Sequence, residues 1–291
     1  MDILTNYTFQ IVALGSVILA VAAAPVGAFS VYKGQSLIGD AIGHSTFPGI
    51  ILAYMAFATR SPVILLAGAI AAGAASYALI QLAHRDKRLG LDANLAIFLS
   101  GFFGLGMALK SFIQGNPDYA GASQAGLGTY IFGQAAYMLE ADVLLIAVVS
   151  ALVLTLLLLF YKELKLFVFD AEYAEVVGLP CRLLNLLLLV MTIAVIGIGI
   201  KAVGAILISS FLIIPCVAAN QWSNNFARVL LLSSLIGAVS ALVGTYISTL
   251  EQGMSTGPSI ILVASLIAFF SIVFGTKGIL GRVLKRRRTH G

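Results

Sequence analysis

Apolar residues run along this chain in blocks about as long as a bilayer crossing, and polar residues gather between them. A helix needs roughly 20 mostly apolar residues to cross a hydrocarbon core. By that measure 9–32, 38–58, 62–83, 93–113, 142–161, 183–200, 203–220, 228–249 and 258–275 predict nine spanning helices. The stretch 183–220 is almost continuously apolar, and as one helix it would be about 57 Å long. That is nearly twice a bilayer core, so a break is expected from Lys201 to Gly204; without it there would be eight spans.

Charge in the connections orients the bundle, because short cytoplasmic loops are enriched in Lys and Arg. "HRDKRLG" (84–90), "YKELKLF" (161–167) and "GRVLKRRRTH" (281–290) are basic, whereas 114–141 and 250–257 hold no Lys or Arg. Nine spans with the N-terminus outside and the C-terminus inside satisfy all five, although Lys201 then falls at an outer turn. The opening MDILTNYTFQ lacks a basic run, and the apolar block behind it lacks a small-residue cleavage site, so it reads as the first span rather than a signal.

Two connections are more than turns. The outer one, 114–141, contains "QAGLGTYIFGQAAYM", too short to span and expected to lie at the interface or dip partway in. The inner one, 162–182, sets Asp170, Glu172 and Glu175 ahead of Gly178 and Pro180, the start and stop marks of a short helix. A polar helix inside the cell, on a chain otherwise sunk in lipid, reads as a docking surface.

Composition agrees with an all-α polytopic membrane protein forming one domain over 1–291. Of 291 residues, 60% are hydrophobic and 10% charged, against about 25% charged in soluble domains. Mean hydropathy is +1.04. Many of the 29 glycines recur at small-x-x-x-small spacing, as in "AGAIAAGAAS" (67–76), which lets helices approach closely. Cys181 and Cys216 stand far apart without a partner motif and read as small buried residues. Enzyme signatures are missing: there is no H-E-x-x-H, and "GFFGLGM" (101–107) has Met107 where a phosphate loop needs lysine. With no soluble domain behind the basic residues, nucleic-acid binding is not expected.

The stretch "GDAIGHSTFPGI" (39–50) carries the candidate chemistry. Asp40 and His44, four residues apart, share one helix face. A carboxylate at mid-span costs about 2.5–3.5 kcal/mol on insertion scales, less near the interface. One reading offsets that cost with a divalent first-row ion, which suits a hard oxygen and an imidazole nitrogen. Pro48 removes the amide that would bond the carbonyl of His44, freeing a backbone oxygen beside the pair. Two other readings stay open: Asp40 caps the span with His44 as local partner, or the two form a proton relay. A metal site would need further ligands from another span, another subunit or water. Elsewhere Asp92 and Asn94 are expected to cap the fourth span and Asp142 the fifth. Lys110 is expected to snorkel to the outer interface, and His84 and His290 lie in basic inner segments.

"LIGDAIGHSTFPGIILAY" (37–54) resembles the signature of the ABC-3 family, the membrane subunits of ABC importers for manganese, zinc and iron. So do "GLDANLAIFLSGFFGLGMAL" (90–109), "YIFGQAAYMLEADV" (130–143), "FDAEYAEVVGLP" (169–180), "KAVGAILISSFLIIPCVAA" (201–219) and "STGPSIILVASLIAFF" (255–270). The resemblance implies eight or nine membrane helices per subunit, paired with a second permease subunit in the cell membrane of a prokaryote. It also implies cytoplasmic ABC ATPases as energy source, an extracellular or periplasmic metal-binding protein as donor, and no permanently bound cofactor. On the family pattern Asp40 and His44 match the proposed metal ligands. Asp170, Glu172, Ala174 and Gly178 match the coupling helix, within 169–180, that seats in the ATPase. After Pro215 this chain departs: Cys216, Val217, Ala218, Ala219 and Asn220 stand where the family has small residues and often an arginine. The block "QAGLGTYIFGQAAY" looks more like the manganese- and iron-associated branch than the zinc one. From a different class, an ion-coupled secondary transporter using the Asp–His pair as proton relay would need no ATPase.

Overall fold

The computed structural model describes residues 6–59, 61–84, 90–116, 119, 138–204, 208–250 and 254–280, without the side chains of residues 62, 84, 91, 92, 201 and 202. Among these residues there are only helices and their connections: α1 (Tyr7–Tyr32), α2 (Ile38–Phe57), α3 (Pro62–His84), α4 (Leu91–Gly115), α5 (Glu140–Leu159), α6 (Tyr161–Phe169), α7 (Ala171–Val176), α8 (Cys181–Val203), α9 (Ile208–Asn220), α10 (Phe226–Leu250) and α11 (Thr256–Phe274). Seven of them, α1, α3, α4, α5, α8, α10 and α11, are long and apolar enough to cross a membrane. α2 is 20 residues long, but Asp40 and His44 dilute its apolar character. α9 has 13 described residues and is the shorter apolar helix expected after the break.

That break falls where the length argument puts it. α8 stops at Val203, and Gly204 adopts φ 97°, a left-handed conformation in which a side chain would be strained. The outer loop reading for 114–141 lies almost wholly outside the described residues, as does the basic tail.

One expectation is corrected. Asn94 does not cap α4: the N-cap is Gly90, while the Asn94 side chain is 1% exposed inside the helix with its amide nitrogen unpartnered. A buried Asn at the fourth helical position is past the reach of the free amide groups that a cap serves. The short helix read between the acids and Gly178–Pro180 is α7: Asp170 leaves helical geometry at φ −151° and caps it, accepting from Tyr173 N at 2.9 Å, and a further short helix, α6, precedes it. Asp142 does cap α5: its Oδ2 accepts from Leu139 N at 2.9 Å.

Helix α1 is the central post, with Leu19, Ala20, Ala22–24, Val26, Ala28 and Phe29 fully buried. α9 lies so close to it that a Cβ on Gly27 would come within 2.0 Å of the Leu212 carbonyl oxygen. α2 and α3 meet through glycine on both sides: a Cβ on Gly49 would lie 2.2 Å from Gly68 O, and one on Gly68 2.5 Å from Gly49 O. One turn further, Ser45 Oγ donates to Ser76 Oγ at 2.7 Å. The small-residue stripe read in 67–76 is therefore the seam that holds α2. Gly68→Val should lower the thermal midpoint of the detergent-solubilised protein, overpacking costing on the order of 1–3 kcal/mol. Gly101→Ala, whose Cβ would meet nothing within 4 Å, should leave the midpoint in place.

One end of the bundle, here the basal end, gathers aromatic rings. Phe226 at the start of α10 contacts Phe29 (4.9 Å between centroids), Tyr32 (5.0 Å), Phe169 (5.1 Å) and Tyr161 (6.4 Å). The α6–α7 segment is thus seated on α1 and α10. Asn220 adds a polar tie, its Oδ1 accepting from Tyr32 OH at 2.9 Å and from Lys277 Nζ at 3.1 Å.

Candidate cation site

Asp40 lies in the first turn of α2 and His44 one turn on, as the spacing requires. The His44 Nε2 to Asp40 Oδ1 distance is 3.5 Å. That is beyond a normal hydrogen bond, so the two groups face the same space without being locked together. A helical cap would have Asp40 ahead of α2, accepting from backbone N–H groups; instead the N-cap is Leu37, with no side-chain cap bond.

Two neighbours hold the pair. Ser209, in the first turn of α9, donates to Asp40 Oδ1 at 2.9 Å. Phe103 of α4 meets the His44 ring edge-to-face, with centroids 5.0 Å apart and planes at 89°. α4 itself is held close by Gly106, where a Cβ would lie 2.5 Å from the Phe47 ring. The pair is unequally accessible: the side chain of Asp40 is 31% exposed and that of His44 12%. The Nδ1 atom of His44 is buried without a hydrogen-bond partner. Buried polar atoms without partners are costly and uncommon in native structures.

An ion ligated by both atoms at roughly 2.1 Å would see them at roughly 110°, close to tetrahedral, given their 3.5 Å separation. The chain alone offers no more than this pair: among the described residues no group of three or more His, Cys, Asp or Glu could hold a metal. Cys216 is fully buried in α9, seven residues beyond Ser209 and so about 10 Å further along the helix axis. It is not brought to the pair.

Asp170, Glu172, Ala174 and Gly178 all fall on the basal segment. Asp170 and Gly178 shape α7 from either end. Gly178, at φ 87°, closes a Schellman turn in which Gly178 N donates to Glu175 O and Leu179 N to Ala174 O, both at 3.0 Å. Ala174 is fully buried beneath the helix, whereas Glu172 points outward and is exposed. Beside it Tyr173, Val176 and Val177 are 55%, 83% and 55% exposed.

Ser209 and Phe103 were not singled out by the sequence. The only signal for Ser209 is its place in the pair Ser209–Ser210 at the head of an apolar helix. Phe103 is one of 17 phenylalanines and has no signal of its own.

Seven helices long and apolar enough to cross a membrane, among the described residues, define a multi-pass membrane protein. The chain belongs to the ABC 3 transport family, which it matches over residues 5–275. It is 38% identical to the zinc transport system membrane protein TroC of Treponema pallidum, over 99% of this chain and 96% of that protein. It is also 38% identical to the manganese transport system membrane protein MntC of Bacillus subtilis, over 96% of this chain and 65% of that protein. In three dimensions it resembles PsaBC from Streptococcus pneumoniae, solved in complex with Fab, with a TM-score of 0.85 and 27% identity, covering 98% of this chain and 96% of that one.

Proposed function

We propose that this protein is the permease subunit of an ATP-driven importer that carries a divalent transition metal, manganese, zinc or iron, across the cytoplasmic membrane of a prokaryote. The relatives named for manganese and zinc transport support the cargo class. The observation that carries the reading is the Asp40–His44 pair, two ligands of suitable type 3.5 Å apart inside an apolar bundle. Two protein ligands hold an ion weakly, and weak holding lets it leave on the far side. The remaining ligands come from water and from the same pair of a second permease subunit across the pathway. The basal end is cytoplasmic, with α7 docking on an ABC ATPase, and an extracellular or periplasmic protein delivers the metal to the other end. The N-terminus is outside and nine helices span, α2 and α9 completing the seven that length and composition alone select. The proton-relay reading loses its ground, since members of an ABC family draw on ATP rather than on an ion gradient.

The test is the elemental content of cells deleted for the gene, grown in metal-poor medium and rescued with the intact gene. One transition metal should fall several-fold on deletion and return on rescue, which also names the cargo. Level manganese, zinc and iron in a strain without another importer would refute the reading.

A further inference from the structure

Lys33 sits half-buried at the basal end, in the turn joining α1 to α2. Its ammonium donates to Asn185 Oδ1 of α8 and lies 4.7 Å from the centre of the Phe167 ring of α6. No carboxylate among the described residues is within ion-pair distance of it. Withdrawal from water pushes the ammonium down to about 8 from its usual value near 10.5. A half-buried cation without a counter-ion is a cost that calls for a reason.

Its surroundings supply one. The Asn185 amide that receives Lys33 donates in turn to Tyr77 OH of α3 at 2.8 Å, and Gln81 donates to the same hydroxyl at 2.8 Å. One lysine therefore ties the α1–α2 turn to α3, α6 and α8. On α6, Glu163 precedes Phe167 by four residues and so lies one turn away on the same face. Its Oε2 is buried and has no hydrogen-bond partner. A carboxylate oxygen lacking a donor thus stands about one turn from the ring that carries an ammonium lacking an anion.

The turn itself is stiff. Gly34 N donates to Val31 O at 3.0 Å and Gln35 N to Ser30 O at 2.9 Å, a Schellman closure with Gly34 at φ 73°. Ile38 N then donates to Gln35 O at 3.1 Å, so the turn runs into α2 without slack. A displacement imposed on Lys33 reaches Asp40 through seven residues with little freedom to absorb it.

We propose that Lys33 couples the α6–α7 segment to the metal-bearing helix α2 by changing partners: it rests on Asn185 and Phe167 in this conformation and pairs with Glu163 when the segment shifts by a turn. The proposal rests on the importer reading. It makes Lys33 and Glu163 positioning residues, acting on the ion through α2 and touching neither metal nor nucleotide.

The test uses the full complex of this chain, its ATPase and its binding protein in liposomes, measuring manganese ions imported per ATP hydrolysed. Uptake by the unaltered complex must first be ATP-dependent; if it is not, the importer reading has failed and the coupling question does not arise. Lys33→Met and Glu163→Gln should each keep ATP hydrolysis while lowering ions per ATP about fivefold to tenfold, within the usual range of a coupling interaction. The double variant should be no worse than the worse single one, as expected for two ends of one contact. An unchanged ratio in Glu163→Gln, or effects that multiply in the double variant, would overturn the proposal. If Lys33→Met fails to assemble, Glu163→Gln decides alone, because it removes charge with little change of shape.

Discussion

Alanine at Asp40 or at His44 is expected to abolish metal uptake while the permease still folds and assembles. On the proposed reading the site has two protein ligands per chain, so each is half of what this subunit would offer the ion. Removing one partner of a buried charge interaction costs about 3 kcal/mol, which at 1.4 kcal/mol per tenfold is about a hundredfold in rate or affinity. The fold should tolerate the loss. Asp40 is 31% exposed and caps nothing, and α2 is held by the Gly49–Gly68 seam and by Ser45 on Ser76 rather than by the pair. A graded response further out separates a ligand site from a general defect. Ser209→Ala removes one hydrogen bond to a carboxylate, worth about 1.5 kcal/mol, and should slow uptake by about tenfold. Uptake of radioactive manganese into liposomes holding equal amounts of each complex reads all three; an unaltered rate in Asp40→Ala or His44→Ala removes the site assignment.

How far the sequence foretold this site depends on what kind of signal each residue leaves. Asp40 and His44 stand out because ionisable groups are rare in apolar segments and their spacing matches one helical turn. The helices stand out for the same reason, since lipid demands long apolar runs, and the need for a break between Lys201 and Gly204 follows from length and from the charge of the connections. Ser209 left no such mark: a serine in an apolar helix most often bonds its own backbone, as Ser45, Ser233 and Ser271 do. Asn94 misled because Asn near a helix start is so often a cap, and only packing reveals that it lies inside. Lys33 was not singled out by the sequence, where it is one lysine in the short connection after the first apolar block. Its singularity is partial withdrawal from water with no carboxylate in reach among the described residues, and its partners lie on α6 and α8, far along the chain. Asp170 was read as a helix start, and it is one, whereas the helix before it, α6, left no start or stop mark of its own in "YKELKLF".

The second large effect is expected at α7, where Val176→Asp should detach the ATPase without unfolding the permease. Val176 is 83% exposed, with Tyr173 and Val177 each at 55%, on a helix whose other face is fixed by buried Ala174. With the proposed cytoplasmic placement these side chains would face water rather than lipid, and an exposed apolar cluster rimmed by acids, here Glu172 and Glu175, marks a protein contact. A carboxylate placed at the centre of such a contact is desolvated without a partner and costs about 3 kcal/mol or more, enough to weaken binding about a hundredfold. Glu172→Gln, at the rim, should change affinity by much less, because rim charges remain hydrated. Co-purification of the ATPase with each variant, alongside the permease's own thermal midpoint, gives the answer. Loss of the ATPase from Val176→Asp at an unchanged midpoint assigns docking to this face of α7. Full retention would mean that the exposed cluster meets something else, and the coupling role of 169–180 would have to be sought on the acidic side chains alone.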